Sequence, residues 1–201
     1  MFFLEGGGNI LEGDLEKIDR LAISKSSNKD FLIIDLSTTD KNKIDKYKLI
    51  LKEYFKKLGA DKLFFASEIK DLEEFNNIIN EVGIMYLPGG DTELLLTNIK
   101  KLGYDKLIKK YNGIIIGNSA GSLILCKKTI LTKDKNINTT KVIKGIGLLE
   151  FSLEVHYDGS QDEELNKLKD IGHIYLIPEK CALIYTNDGR KFLGNIKMIK
   201  R

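Results

Sequence analysis

Apolar positions along the chain switch between two periods. Phe31-Leu32-Ile33-Ile34-Asp35-Leu36 is a nearly continuous apolar run, the pattern of a strand buried on both faces. Beyond it, Ile44, Tyr47, Ile50, Leu51, Tyr54, Phe55 and Leu58 recur at spacings of three and four, which predicts one helical stripe ended by Gly59. The same alternation continues. Leu63-Phe64-Phe65-Ala66 reads as a strand, Leu72 to Val82 as a helix, and Ile84-Met85-Tyr86-Leu87 as a strand stopped by Pro88-Gly89-Gly90. A helix carrying Leu95, Ile99 and Leu102 follows, then the strand Ile114-Ile115-Ile116 and a helical run from Ser122. Met1 to Glu5 reads as a first strand entering the turn Gly6-Gly7-Gly8. The last third is less regular. It predicts a strand from Leu148 to His156, a helix over 161–171, a strand over 173–177, and strands over 181–186 and 191–199 joined by Asn187-Asp188-Gly189. Strand–helix alternation over the first 125 residues predicts an α/β fold: a mostly parallel sheet with helices on both faces, and antiparallel additions at one edge.

Composition narrows the class. A chain of 201 residues, 42% hydrophobic and 30% charged, fits one domain over 1–201 that needs neither disulfide nor metal to stabilise it. The 32 basic and 29 acidic residues are interleaved and leave a net charge of +3, so neither a nucleic-acid nor a membrane-surface partner is expected. Cys126 and Cys181 lie in apolar runs and read as buried thiols of a reducing compartment. No apolar run reaches the roughly 20 residues that span a bilayer, and the N-terminus lacks the basic region of a signal peptide. The expected location is the cytoplasm.

The strongest chemical signal is Gly117-Asn118-Ser119-Ala120-Gly121. It places a serine between a buried strand and a helix, where a tight turn exposes the hydroxyl and the helix start offers N–H groups to a developing oxyanion. Ser119 is therefore the candidate nucleophile. Its base must come from two histidines, His156 and His173. His156 closes a predicted strand, at the sheet edge where open α/β folds place their sites; His173 precedes its strand. Carboxylates available to orient the imidazole are Glu154, Asp158, Asp134 and Glu179, the last caught between two apolar strands behind Pro178. Pro88-Gly89-Gly90-Asp91-Thr92 is a second strand-to-helix turn. Its glycines let backbone N–H groups approach a ligand, and Asp91 or Thr92 suits a helix N-cap.

Taken in order, Tyr86-Leu87-Pro88-Gly89-Gly90-Asp91-Thr92, Gly117-Asn118-Ser119-Ala120-Gly121, the strand ending in His156, and Pro178-Glu179 resemble the peptidase S51 family of dipeptidase E and cyanophycinase. The resemblance implies a three-layer, flavodoxin-like sandwich akin to class I glutamine amidotransferases. It implies Ser119 as nucleophile, His156 as base and Glu179 as its partner, with oxyanion donors from Gly89 or Gly90 and Ala120. It implies no metal or organic cofactor, a small peptide substrate and cleavage beside aspartate; a monomer or homodimer is expected. The residues themselves leave Asp134 and Asp158 open as the third member. They also leave open an esterase or amidase, or a non-catalytic binding protein. Tyr157 to Asn166 contains no basic residue but has Asp158, Asp162, Glu163 and Glu164. An acidic rim there would favour a neutral or basic residue near the cut over aspartate.

Overall fold

A computed structural model describes residues 1–135 and 137–201. Its main sheet has seven strands. β1 (Phe2–Glu5), β2 (Phe31–Ile33), β3 (Leu63–Phe65), β4 (Ile84–Leu87) and β5 (Ile114–Asn118) are parallel, and β10 (Ala182–Thr186) and β11 (Gly189–Leu193) add antiparallel at one edge. The order is β11-β10-β1-β5-β4-β2-β3. Side chains alternate across the sheet with period two. Phe3, Ile84, Tyr86 and Ile116 therefore pack under α1 (Glu16–Ser24) and α2 (Lys41–Leu58). Leu4, Met85, Leu87 and Ile115 pack against α3 (Leu72–Glu81), α4 (Thr92–Lys101) and α5 (Tyr104–Ile108) on the other face. This is the expected α/β sandwich.

The less regular third departs from its expected elements. After the short α6 (Ala120–Leu123) comes a hairpin of β6 (Lys128–Leu131) and β7 (Lys141–Lys144) that the hydrophobic pattern does not announce, because three of the four β7 residues are exposed. The predicted strand 148–156 shortens to β8 (Ser152–Val155) and the helix 161–171 to α7 (Asp162–Lys167). The predicted strand 191–199 divides at Gly194, whose φ of +98° no strand accommodates. Its second half, β12 (Lys197–Lys200), leaves the hairpin and pairs with β9 (His173–Ile177) in a separate sheet of order β12-β9-β8. That small sheet matters for the site. β8 and β9 run parallel with Val155 opposite Ile177, so the residues that follow them emerge side by side.

Candidate active site

Three parallel strands end level with one another: Glu5 lies beside Asn118, and Leu87 beside Gly117. Ser119 stands one residue beyond, at φ 51° and ψ −111°, a conformation that costs an L-residue about 1–3 kcal/mol. The small residues around it are required by contact. A Cβ on Gly121 would come within 2.0 Å of the Leu87 carbonyl oxygen, and one on Gly117 within 2.8 Å of the Ser122 backbone. The helix that follows is a single turn, shorter than the pattern suggests, because the carbonyls of Ile124 and Leu125 accept from the N–H groups of Ile146, Leu148 and Leu149. The expected macrodipole thus reduces to local N–H groups. Among the described residues, no backbone carbonyl takes the N–H of Ala120, Gly89 or Gly90.

The structure brings Ser119, His156 and Glu179 together. Ser119 Oγ lies 2.7 Å from His156 Nε2, and His156 Nδ1 lies 2.9 Å from Glu179 Oε1. A carboxylate only accepts, so Nδ1 carries the proton and Nε2 accepts from the serine hydroxyl. The imidazole and the carboxylate are 46% and 59% exposed. Their register comes from the small sheet: His156 follows β8, Glu179 follows β9, and the Tyr157 N–H donates to Ile177 O at 3.2 Å.

Neither other open acid meets the imidazole in a hydrogen bond. Asp158 accepts from the Ser160 N–H and holds its own turn, and Asp134 accepts from the Ile137 N–H in the β6–β7 connection. Glu154 accepts from the Thr132 hydroxyl, and burial pushes its carboxyl up to about 7. His173 is exposed at the start of β9, opposite Lys200. In the second turn, Asp91 caps α4 by accepting the Leu94 N–H at 2.9 Å, and Gly89 turns its Cβ-less face to Ser119: a Cβ there would stand 3.5 Å from Ser119 Cβ.

Sequence reasoning missed the segment that joins these parts. Three consecutive carbonyls hold the three site segments: Glu5 O accepts the Ser119 N–H at 3.1 Å, Gly6 O accepts the His156 N–H at 2.7 Å, and Gly7 O accepts the N–H of Lys180, next to Glu179, at 2.8 Å. A Cβ on Gly7, at φ +113°, would fall 2.1 Å from His156 Cε1. The run of three glycines after β1 was the available signal.

Ser119 and His156 open onto a cavity of about 890 Å³ between this segment, the Pro88–Asp91 turn and the first half of α2. The apolar stripe of α2 divides in two. Leu51, Tyr54, Phe55 and Leu58 are buried in the core, while Ile44, Tyr47 and Ile50 continue it as cavity wall beside Ile10 and Leu11. The expected acidic rim is absent from this wall. Asp162 accepts from Tyr157, Glu163 and Glu164 pair with Lys167, and the charged residues on the wall are Lys43, Lys46, Asp35 and Asp91. Among the described residues no three His, Cys, Asp or Glu side chains cluster as metal ligands, and no helix is long and apolar enough to cross a membrane.

Known proteins share this architecture. Solved structures of a peptidase from an acI-B1 Actinobacterium (TM-score 0.74, 18% identity, covering 98% of this chain and 93% of that one) and of a candidate peptidase E protein from Listeria monocytogenes EGD-e (TM-score 0.67, 19% identity, 100% and 98%) have the same fold. In sequence, the chain is 26% identical to the uncharacterized peptidase YgaJ of Bacillus subtilis over 196 residues, 91% of this chain and 81% of that protein. It is 29% identical to the uncharacterized peptidase Lmo0363 of Listeria monocytogenes over 118 residues, 55% and 56% of the two chains. The model of peptidase family S51 matches residues 2–193, and the chain, a serine-type hydrolase of peptide bonds, belongs to that family.

Proposed function

We propose that this enzyme hydrolyses short peptides through a Ser119–His156–Glu179 triad. Ser119 Oγ attacks the scissile carbonyl carbon while His156 Nε2 takes its proton. Glu179 stabilises the imidazolium through Nδ1. The N–H groups of Ala120 and of Gly89 or Gly90 face the oxyanion, which supplies a few kcal/mol that water would not. Collapse of the tetrahedral adduct breaks the C–N bond as Nε2 returns its proton to the leaving amine. Water then attacks the acyl-serine by the same route, and the serine is regenerated.

The observation that carries this reading is the unbroken chain from Oγ through the imidazole to a carboxylate, at 2.7 and 2.9 Å, on a strained serine. A cavity of about 890 Å³ supports a short peptide rather than a folded protein as substrate. The apolar side chains that α2 turns to the cavity, Ile44, Tyr47 and Ile50, support an aliphatic or aromatic residue beside the cut, and Lys43 and Lys46 on the same helix suit a carboxylate of the substrate. Two free thiols, Cys126 buried and Cys181 partly exposed, support a reducing compartment such as the cytoplasm. On a panel of dipeptides and tripeptides, Ser119→Ala should lower turnover at least about 10⁴-fold with the melting curve retained. Residual turnover above a hundredth of wild type in the folded variant would exclude Ser119 as nucleophile.

A further inference from the structure

Where β1 meets the nucleophile's turn, with Glu5 beside Asn118, lies a pair of acids that the triad does not use. Glu5, the last residue of β1, and Asp19 of α1 are both buried to within 1% of completely. Their carboxyls lie within hydrogen-bonding reach of each other. Four further groups face them. Tyr54 of α2 donates its hydroxyl to Asp19 Oδ2 at 2.6 Å. Tyr86 of β4, fully buried, accepts from the Asn118 amide of β5 at 3.3 Å. Ala182, the neighbour of Glu5 on β10, is apolar. Among the described residues no cation acts on either acid.

No N–H or O–H of a described residue reaches either Glu5 carboxyl oxygen or Asp19 Oδ1. Two bare carboxylates in that position would be both desolvated and mutually repelling, which the fold would not tolerate. A proton on one acid, donated to the other, removes both difficulties. Burial raises both carboxyls in this sense, Asp19 to about 7 and Glu5 well above the usual carboxylate range.

The location gives the pair its role. The Glu5 carbonyl takes the Ser119 N–H and the Ser122 hydroxyl, and the next two carbonyls hold the His156 and Lys180 N–H groups. We propose that Glu5 is a positioning residue: its protonated carboxyl, donating to Asp19, clamps the end of β1 onto α1 and so fixes the three carbonyls that align the triad. The inference rests on the triad reading above. Loss of the last proton of the pair places two like charges in water-free contact, pushes β1 from α1 and misaligns the triad. The enzyme then loses activity at alkaline pH for a reason outside the triad.

The test measures labelling of the enzyme by a fluorophosphonate, and peptide turnover, as a function of pH for wild type, Glu5→Gln and Asp19→Asn, each profile normalised to its own plateau. Glutamine keeps a donor for Asp19 without a proton to lose. Both variants should carry the alkaline limb at least one pH unit higher than wild type, a shift that a merely structural role would not produce. An unchanged limb in the folded variants overturns the proposal. Infrared spectroscopy in a Glu154→Gln background, which removes the other buried acid raised to about 7, decides the matter even where a variant of the pair fails to fold. A protonated-carboxyl C=O stretch should be present at pH 7 and disappear in step with the alkaline limb; its absence at pH 7 overturns the proposal. Failure of the serine reading is a separate result, no labelling of any form at any pH, and the infrared titration then still decides whether the acids share a proton.

Discussion

Gly7→Ala tests the geometry of the site without touching a triad member. An ideal Cβ at position 7 falls 2.1 Å from His156 Cε1 and 2.5 Å from Nδ1. Ordinary carbon contacts begin near 3.5 Å, so the ring must retreat by about 1.5 Å. Starting from 2.7 Å, that retreat takes Nε2 out of hydrogen-bond range of Ser119 Oγ. A misplacement of that size costs about 10²-fold or more in turnover, and complete loss of the base up to about 10⁴-fold. The fold should survive, because the imidazole is 46% exposed and swings toward solvent. What remains is the backbone cost of alanine at φ +113°, about 1–2 kcal/mol, or roughly 2–8 °C in Tm for a chain of this length. Gly59→Ala is the control. It has the same backbone problem at φ +100° with nothing within 4 Å of the new Cβ. It should lose a similar amount of stability and no activity. The assay pairs circular-dichroism melting with peptide turnover. A folded Gly7→Ala enzyme that keeps more than a tenth of wild-type turnover, or a Gly59→Ala enzyme that loses as much turnover as Gly7→Ala, would mean that the Gly7–His156 contact does not set the position of the base.

Glu179→Gln should lower turnover by roughly 10- to 100-fold, less than for a buried triad acid, because a carboxylate 59% exposed is partly screened. Asp158→Asn, the control, should change turnover less than threefold. Ser119→Gly should melt above Ser119→Ala, by about 1–3 kcal/mol in unfolding titrations, since glycine relieves the φ of 51°. Ile44→Ser and Tyr47→Ser should raise KM for leucine-containing dipeptides about 5- to 30-fold, on the order of 1–2 kcal/mol of lost apolar contact, with little change in Tm. Finally, the folded chain holds protons on Glu5, Asp19 and Glu154 that the unfolded chain releases near pH 4. Their contribution to stability is therefore greatest at acid pH and falls as pH rises to about 7 and beyond. The fall is on the order of 4 kcal/mol for Asp19 alone, and urea titrations of Glu5→Gln should show a shallower decline than wild type.

The parts of the molecule legible in sequence are those where burial writes a period. The five parallel strands are apolar on both faces up to the Glu5 and Asn118 that end β1 and β5, and the Gly117–Gly121 turn is small for steric reasons that hold in any such turn. What the sequence hid lies where burial is slight or where polar groups stand among apolar ones. β7 and β12 have three exposed residues in four, and each packs a single side chain, Ile143 and Ile199, against a core cluster. α1 escaped notice because Asp19 interrupts its apolar face, although Leu15, Ile18, Asp19, Ala22 and Ile23 keep helical spacing and all are buried. An acid within such a stripe, and another at the end of an apolar strand, is the pattern by which the Glu5–Asp19 pair was available to be seen. The role of the Glu5–Gly7 carbonyls had no such mark, because backbone hydrogen bonds leave no residue-type signature beyond the glycines that permit them. The acid-rich segment after His156 misled for the opposite reason. Its charges are visible in sequence, but their pairing with Tyr157, Thr140 and Lys167 is not.

In the proposed reaction Ser119 is a nucleophile activated by His156. Mass spectrometry after treatment with a fluorophosphonate tests it most directly. One adduct per chain should form, mapped to Ser119, abolished in Ser119→Ala and formed at least a hundredfold more slowly in Gly7→Ala. An adduct on any other residue, or an undiminished rate in Gly7→Ala, would contradict it.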